Sequence, residues 1–143
     1  GKTTWRNLKY PPTCDVPIFS TDDYIEEVAF QSNLTYTDIF KETISLAEKV
    51  CFHRLNSWLL SHNKIIIDRT NLTIRSRARI LELIPTDFTK KAVVFPRPDD
   101  LKERLESRHN KYIPFEVIQE MINKYEEPTK EEGFDDIEFL EKE

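Results

Sequence analysis

The chain has 143 residues, of which 38% are hydrophobic and 33% charged, and its formal net charge is −5. This length suits one domain, and the composition is too apolar for a disordered chain. No apolar run reaches the roughly 18 residues of a membrane span, and the cysteines and histidines show no zinc spacing. We expect one domain over residues 1–143, with free thiols and no membrane attachment, in the cytoplasm or nucleus. The net charge disfavours nonspecific coating of DNA but permits a local basic cleft.

Short apolar runs alternate with segments of helical periodicity along the chain. The runs predict strands covered on both faces at residues 16–19, 64–68 and 92–95, and a final strand is expected at 136–140. The periodic segments predict helices from residue 4 onward and at residues 35–62, 75–84, 98–109 and 114–125, with Thr73 as an N-cap. This alternation indicates an α/β fold, a parallel sheet with helices on both faces. Chemistry in such sheets gathers at the carboxyl ends of the strands.

The first four residues, Gly1-Lys2-Thr3-Thr4, match the end of the phosphate-binding loop G-x-x-x-x-G-K-[ST], plus one residue. In that loop the glycine lets the backbone approach the phosphates, the lysine neutralises the β- and γ-phosphates, and the hydroxyl ligates Mg²⁺. A helix from Thr4 onward points its N-terminal amides at the same phosphates. We expect the parent protein to carry an apolar strand and a Gly-x-x-x-x segment directly before Gly1.

The sequence STDDY at residues 20–24 follows the first predicted strand. A carboxylate at a strand's carboxyl end can accept a proton from an attacking hydroxyl. The alternative is that these residues only cap the N-terminus of a helix. Adjacent helical residues point about 100° apart, so Asp22 and Asp23 cannot both face an acceptor. We expect Asp22 to open toward a cleft with Lys2 and Asp68, and Asp23 to cap or to meet a basic side chain.

The sequence IIIDRTN at residues 65–71 is an apolar strand that ends in Asp68. This pattern places a carboxylate near nucleotide-bound Mg²⁺, usually through water, although a polar turn at a strand end gives the same letters. Arginines crowd the helix that follows, where Arg75 and Arg79 share a face. They form either a solvated helix face or a contact with the nucleotide or a polyanionic substrate.

Arg104 and Arg108 are four residues apart in the next predicted helix. On a helix both guanidinium groups point the same way, and beside a short loop they could close over a nucleotide and clamp the transferring phosphoryl group. The alternative is a surface helix with ion pairs to Glu103 and Glu106. No cysteine or histidine stands in a nucleophile pattern, so a covalent mechanism is not indicated.

The order of these motifs resembles that of the kinase domain of 5′-hydroxyl polynucleotide kinases, in the P-loop kinase superfamily. The resemblance covers nearly the whole chain, and its most specific parts are STDDY, IIIDRTN with RSRAR, RLESRHNKYIP and YEEPTKEEGF. STDDY also occurs in related P-loop ATPases of uncertain substrate. The resemblance implies a P-loop kinase fold that uses ATP and Mg²⁺, with the first strand and the front half of the phosphate loop absent from this sequence.

The resemblance also implies roles for particular residues. Asp22 would be the general base, while Lys2 and Arg108 would balance the charge that develops on the phosphoryl group. The ATP phosphates would be held by Gly1, Lys2, Thr3, Thr4, Arg104 and Arg108. The metal would meet Thr3 and Asp68, and the acceptor would meet Asp22, Asp68, Thr70 and Arg75. The sequence departs from some members at Ile25, where they place an arginine that grips the acceptor's phosphate, and at Arg69, where they place their Asp.

The function implied by this resemblance is transfer of the γ-phosphoryl group of ATP to the 5′-hydroxyl of a DNA or RNA end. Two alternatives stay open. One is a kinase of the same fold that acts on a nucleotide, a small metabolite or a protein, and the other is a non-catalytic binding module with a kinase-like fold. A groove of Lys and Arg long enough for a strand favours the polynucleotide, whereas a closed pocket favours a small acceptor.

Overall fold

The computed structural model describes residues 1–108 and 111–142. The helices in this part of the chain are α1 (Lys2–Lys9), α2 (Thr21–Gln31), α3 (Tyr36–Ser61), α4 (Ile74–Leu81), α5 (Leu101–Glu106) and α6 (Phe115–Lys124). The strands are β1 (Ile18–Phe19), β2 (Ile66–Ile67), β3 (Lys91–Val94) and β4 (Asp136–Phe139). Each predicted strand and helix is present, although the ends differ by a few residues. His109, the predicted end of one helix, lies outside the described residues.

Side-chain caps determine where several helices begin. The Ser20 hydroxyl accepts a hydrogen bond from the amide of Asp23 at 3.1 Å, which caps α2. Thr35 and Asp38 form a reciprocal capping box at the start of α3. Thr73 caps α4 as predicted, through the amide of Ser76. Each cap satisfies amides that a helix N-terminus would otherwise leave unpaired.

The strands form two separate parallel pairs. Ile18 and Phe19 of β1 are in register with Ile66 and Ile67 of β2. The other pair, β3 with β4, runs in register from Lys91 opposite Asp136 to Val94 opposite Phe139. The predicted parallel direction is therefore confirmed. The prediction of one continuous sheet is not, because the described residues hold two two-stranded sheets.

The long helix α3 organises the hydrophobic core. Its buried residues recur at intervals of about four or eight along one face: Ile39, Ala47, Cys51 and Leu55. The first half of this face packs on Ile25 and Ala29 of α2. The second half packs on Phe19 of β1 and Ile80 of α4. This packing fixes the start of α2 beside the end of β1. Both cysteines, Cys14 and Cys51, are free thiols.

Helix α1 adjoins the carboxyl ends of strands from both pairs. Arg6 contacts Asp68, the residue after β2, with 2.6 Å between Nη1 and Oδ2. The Trp5 ring packs edge-on against Phe95, the residue after β3, with centroids 5.6 Å apart. The carboxyl ends of β2 and β3 therefore both lie against α1. In a parallel α/β fold, chemistry is expected at these strand ends.

A buried ion pair ties α4 to the C-terminal segment. The Arg77 side chain is 4% exposed and donates to both carboxylate oxygens of Glu132, at 2.8 and 3.1 Å. Its remaining nitrogen, Nη1, donates to the carbonyl of Asn71 at 2.8 Å. Among the crowded arginines of this helix, Arg77 is therefore structural. No helix in the described part of the chain is long and apolar enough to cross a membrane.

Candidate active site

Two cations of α1 converge on one carboxylate at the end of β2. Lys2 Nζ lies 2.8 Å from Asp68 Oδ1, and Arg6 Nη1 lies 2.6 Å from Asp68 Oδ2. Lys2 and Arg6 are four residues apart and share one helix face. The Asp68 side chain is only 9% exposed, so these cations compensate a carboxylate that is almost fully removed from water.

Arg6 joins this carboxylate to the start of α2. The same nitrogen that contacts Asp68 lies 3.0 Å from Asp23 Oδ2. Asp23 thus meets a basic side chain, which is one of the two roles predicted for it. The contacts link the ends of β1 and β2 with α1 through a chain of alternating charges: Lys2, Asp68, Arg6 and Asp23.

Asp22 points to a different set of partners. Its Oδ1 accepts a hydrogen bond from the Tyr36 hydroxyl at 2.7 Å, and its Oδ2 accepts one from Lys111 Nζ at 2.9 Å. Burial acts to raise the pKa of Asp22, but these hydrogen bonds and the charges of Lys111 and Lys2 together lower it. Asp22 is therefore ionised at neutral pH. Among the described residues no hydrogen bond or ion pair joins Asp22 to Lys2 or Asp68, so the expected opening toward those two side chains is not seen as a contact. The link between Asp22 and the cluster at Asp68 is its neighbour Asp23, which contacts Arg6.

Tyr36 and Lys111 are held in place around Asp22. The Lys111 ammonium lies over the Tyr36 ring, 4.3 Å from its centroid. The amide of Tyr112 donates to Thr37 Oγ1 at 3.0 Å, which ties the segment before α6 to the start of α3. Burial, followed by the hydrogen bond to Asp22, raises the pKa of Tyr36. The phenol therefore stays protonated and acts as a donor.

Arg108 acts electrostatically on α2, and among the described residues no hydrogen bond or ion pair joins its side chain to Asp22 or Lys2. Its charge acts on Glu26, which is one helical turn beyond Asp22 on α2. Burial raises the pKa of Glu26, and the charges of Asp23 and Asp22 add to this, whereas Lys111 and Arg108 oppose it. The Arg108 side chain is exposed. A cation in this position can move toward a ligand without breaking a buried pair.

The prediction that Arg104 and Arg108 share a helix face is wrong. Helix α5 ends at Glu106, so Arg108 lies beyond it. Ser107 ends the helix in part because its hydroxyl donates to the Arg104 carbonyl at 2.9 Å, a local bond that competes with helical pairing. Arg104 pairs within the helix, with 2.8 Å between its Nε and Asp100 Oδ1. This is a surface ion pair of the kind left open as the alternative, with a different partner.

Other predicted residues occupy the surface around this cluster. Gly1, Thr3 and Thr4 are exposed at the N-terminus of α1, which has no side-chain cap and no acidic residue in its first turn. Its first amides and the Lys2 amine suit an anion. Thr70 and Arg75 are also exposed. In the part of the chain that the structure describes, no hydrogen bond or ion pair joins either of them to the residues around Asp22 and Asp68.

The oxygen donors near Lys2 suit magnesium. Thr3 offers a hydroxyl and Asp68 a carboxylate, the ligand types that Mg²⁺ prefers. Both Asp68 oxygens already contact cations, so Asp68 would meet the ion through water. Within the described ranges, no group of three or more His, Cys, Asp or Glu could hold a metal alone.

Three residues of the site are absent from the sequence predictions: Arg6, Tyr36 and Lys111. Arg6 has a readable signal, because it lies four residues after Lys2 on the helix that begins there. Tyr36 and Lys111 contact Asp22 across 14 and 89 residues of sequence. Nothing local in the chain marks such contacts.

Comparison with known proteins gives a family for the chain. A family model described as "AAA domain" matches residues 1–128. No curated protein matches the chain in a sequence search. The matched range holds the cluster at Asp68, the Asp22 group and Arg108. The chain therefore belongs to the AAA domain family and has a P-loop NTPase domain of the nucleotide-binding, kinase-like type.

Proposed function

We propose that this chain transfers the γ-phosphoryl group of ATP to the 5′-hydroxyl at the end of a polynucleotide, DNA or RNA. The observation that supports the proposal is that two adjacent carboxylates at the start of α2 divide their contacts: Asp23 meets Arg6 of the cluster with Lys2 and Asp68, and Asp22 stays outside that cluster. A phosphate-binding lysine and a separate ionised carboxylate at neighbouring strand ends are what a kinase needs for its donor and its acceptor.

Lys2 can serve the donor nucleotide at low cost to the fold. Its side chain is 42% exposed, whereas Arg6 is 10% exposed. When Lys2 turns toward the phosphates, Arg6 still compensates the buried Asp68. Binding therefore leaves no buried carboxylate without a partner. Thr3 would offer its hydroxyl to Mg²⁺ and Asp68 its carboxylate through water, and the ion would offset the negative charge of the phosphates.

Asp22 serves the acceptor. Its ionised carboxylate takes the proton of the 5′-hydroxyl as that oxygen bonds to the γ-phosphorus, and the bond from the γ-phosphorus to the leaving oxygen of ADP breaks. Tyr36 and Lys111 occupy one direction at each Asp22 oxygen, and a carboxylate has about four acceptor directions in all. Arg108 and Lys2 offset the negative charge that develops on the phosphoryl oxygens.

A label-transfer assay tests the proposal. The full chain is incubated with Mg²⁺, γ-labelled ATP and one of four acceptors: a 5′-hydroxyl DNA strand, a 5′-hydroxyl RNA strand, a nucleoside, or a DNA strand that already carries a 5′-phosphate. We expect label on the 5′-hydroxyl strands only. The variant Lys2→Ala should lose the transfer, while Lys124→Ala, a surface lysine paired with Glu120, should keep it.

Two results would contradict the proposal. Faster transfer to the nucleoside than to either strand would indicate a kinase for a small acceptor. ATP binding without transfer to any acceptor would indicate a binding module.

A further inference from the structure

Two arginines from different elements stack on one aromatic ring beside the proposed site. The Arg79 guanidinium of α4 lies 4.7 Å from the Phe52 ring centroid. Arg69, which directly follows Asp68, lies 5.8 Å from the same centroid and 5.7 Å from that of Phe19. Stacking on a ring holds a guanidinium plane in a fixed orientation while its N–H groups stay available.

A cavity of about 340 Å³ opens between α3 and α4 at this point. Its lining is Ser45, Glu48, Lys49, Phe52 and Arg79. The α3 members of this lining lie three or four residues apart and therefore share a helix face. The volume falls at the lower end of the range of ligand sites, about 300–1,000 Å³. The space therefore accommodates a group the size of a phosphodiester with part of a sugar.

The cavity region carries an excess of positive charge in an acidic chain. Arg69, Arg79 and Lys49 bring three cations, and Glu48 is the single carboxylate that lines the cavity. Glu48 lies 3.5 Å from Arg69 Nη2 and 3.6 Å from Arg79 Nη1. Charge-assisted hydrogen bonds of this kind are normally about 2.7–2.9 Å. Glu48 therefore pairs with both arginines only through long contacts, one of them a 3.5 Å hydrogen bond from Arg69 Nη2.

One guanidinium nitrogen of Arg69 has no acceptor in the part of the chain that the structure describes. Its Nη1 is buried without a hydrogen-bond partner among the described residues. Burial, reinforced by the nearby charge of Arg79, lowers the pKa of Arg69 although Glu48 opposes this. A buried guanidinium N–H without a partner is costly, so the charge of Arg69 is incompletely compensated where it lies over Phe52.

Arg69 connects the cavity wall to the proposed phosphoryl-transfer site, because its side chain lies over Phe52 of the lining and its backbone contacts Lys2. The Arg69 carbonyl accepts a hydrogen bond from Lys2 Nζ at 3.2 Å, and Arg69 adjoins Asp68 in sequence. Arg79 is 60% exposed at its side chain, so it is accessible from solvent. One residue, Arg69, therefore separates the phosphate-binding lysine from the basic side chains of the cavity.

We propose that this cavity binds an internucleotide phosphate of the acceptor strand near its 5′ end. Arg79, which lines the cavity, donates to the phosphate, Arg69 adds positive charge behind the lining, Phe52 orients both guanidinium groups, and Glu48 weakens binding by its own contacts with them. The assignment of an acceptor strand rests on the proposed function, but the binding itself does not require catalysis.

The test measures binding of a labelled, single-stranded 5′-hydroxyl oligonucleotide by fluorescence anisotropy without ATP. Arg79→Ala should weaken binding several-fold and lower the slope of log K against log salt by about 0.7, the loss of one phosphate contact on a single strand. Glu48→Gln should tighten binding, which a folding defect would not do. Lys124→Ala is the matched surface control. A 5′-hydroxyl nucleoside, which lacks the phosphate, should bind equally to the wild type and Arg79→Ala.

The outcomes separate this inference from the proposed function. Oligonucleotide binding that depends on Arg79, without any transfer from ATP, would support the cavity assignment and contradict the kinase. Transfer by the wild type together with unchanged oligonucleotide binding by Arg79→Ala would overturn the cavity assignment alone. The cavity assignment would also be overturned if Arg79→Ala weakened ATP binding and left oligonucleotide binding intact. A wild type that bound no oligonucleotide would overturn it as well.

Discussion

Arg6 Nη1 and Asp68 Oδ2 lie 2.6 Å apart, and both side chains are about nine-tenths buried. Most of α1 is exposed, so this ion pair, together with the Trp5 packing, is what fixes the helix to the strand ends. The pair therefore supports the position of Lys2 four residues earlier. A contact that looks structural thus also places the residue proposed to hold phosphate.

Replacing Arg6 with Met should lower the free energy of unfolding by about 3 kcal/mol, near the lower end of the range for breaking a buried ion pair, ~3–5 kcal/mol. The lower end applies because Lys2 still compensates Asp68. Urea denaturation measures the change. Lys142→Ala, which removes a surface pair with Asp99, should have little effect. If Arg6→Met lowered the free energy of unfolding as little as Lys142→Ala, the Arg6 pair would be unimportant for the fold.

Asp22→Asn should abolish most phosphoryl transfer and keep ATP affinity, because it removes the proposed base and no phosphate contact. Asp23→Asn should have a mild effect, since Asp23 contacts Arg6 and not the acceptor. Steady-state kinetics at saturating ATP, with ATP binding measured separately, compare the two. Similar losses in both variants, or a larger loss in Asp23→Asn, would show that the roles are wrongly assigned.

Tyr36→Phe should move the acid limb of the pH profile of kcat/KM to higher pH. The Tyr36 hydrogen bond helps to lower the pKa of Asp22, so its loss raises that pKa. The base is active when ionised, and activity would then fall at a higher pH as the solution is acidified. Lys111→Met should shift the limb in the same direction. An unshifted limb in both variants would mean that Asp22 is not the group that titrates.

Arg108→Ala should reduce kcat by a factor on the order of 10³–10⁵, the range found for arginines that stabilise transferring phosphoryl groups. Its stability should stay unchanged because the side chain is exposed. Single-turnover kinetics and thermal unfolding measure the two quantities. A variant that turns over normally would exclude Arg108 from the mechanism.

Glu132→Gln should lower the free energy of unfolding at pH 7, and the deficit should narrow on acidification. The hydrogen bond from Arg77 holds the pKa of Glu132 below its ordinary value of 4.5, against the effect of burial. This carboxylate therefore stabilises the fold above that pH, and the contribution is lost as the pH falls through the lowered pKa. Urea titrations of both proteins between pH 7 and pH 3 measure the difference. A deficit that stays constant with pH would contradict the assignment.

Local signals were sufficient for most elements of the fold, although α2 was indicated only through the alternative that residues 20–24 cap a helix. Thr35 and Asp38 form their capping box where the sequence predicts the start of the long helix, and β-branched residues before Asp68 predict a strand. The end of α5 was misjudged because a serine hydroxyl, which has no strong periodic signature, bonds to the backbone there. Periodicity reports which face of a helix is apolar, and it is weak at helix ends.

The site was predictable where a motif sits at a strand end and unpredictable where partners come from afar. Asp68 follows an apolar run, so the sequence alone predicts its position at the carboxyl end of β2. The hydrogen bond from Lys111 to Asp22 depends on how the segment after residue 110 packs on α3. That packing is a tertiary property, and one sequence contains no measure of it.

The position of Trp5 gives the molecule an intrinsic optical reporter. The chain has two tryptophans, and the second, Trp58, packs against the core cluster of α3. The Trp5 ring contacts the Phe95 ring, and the Lys9 ammonium lies 4.9 Å from the Trp5 ring centroid. Trp5 is also less than one helical turn from Lys2. Its emission is therefore sensitive to small movements of the first helix. In a Trp58→Phe background, fluorescence alone would follow how nucleotides engage this protein, in real time and without a dye.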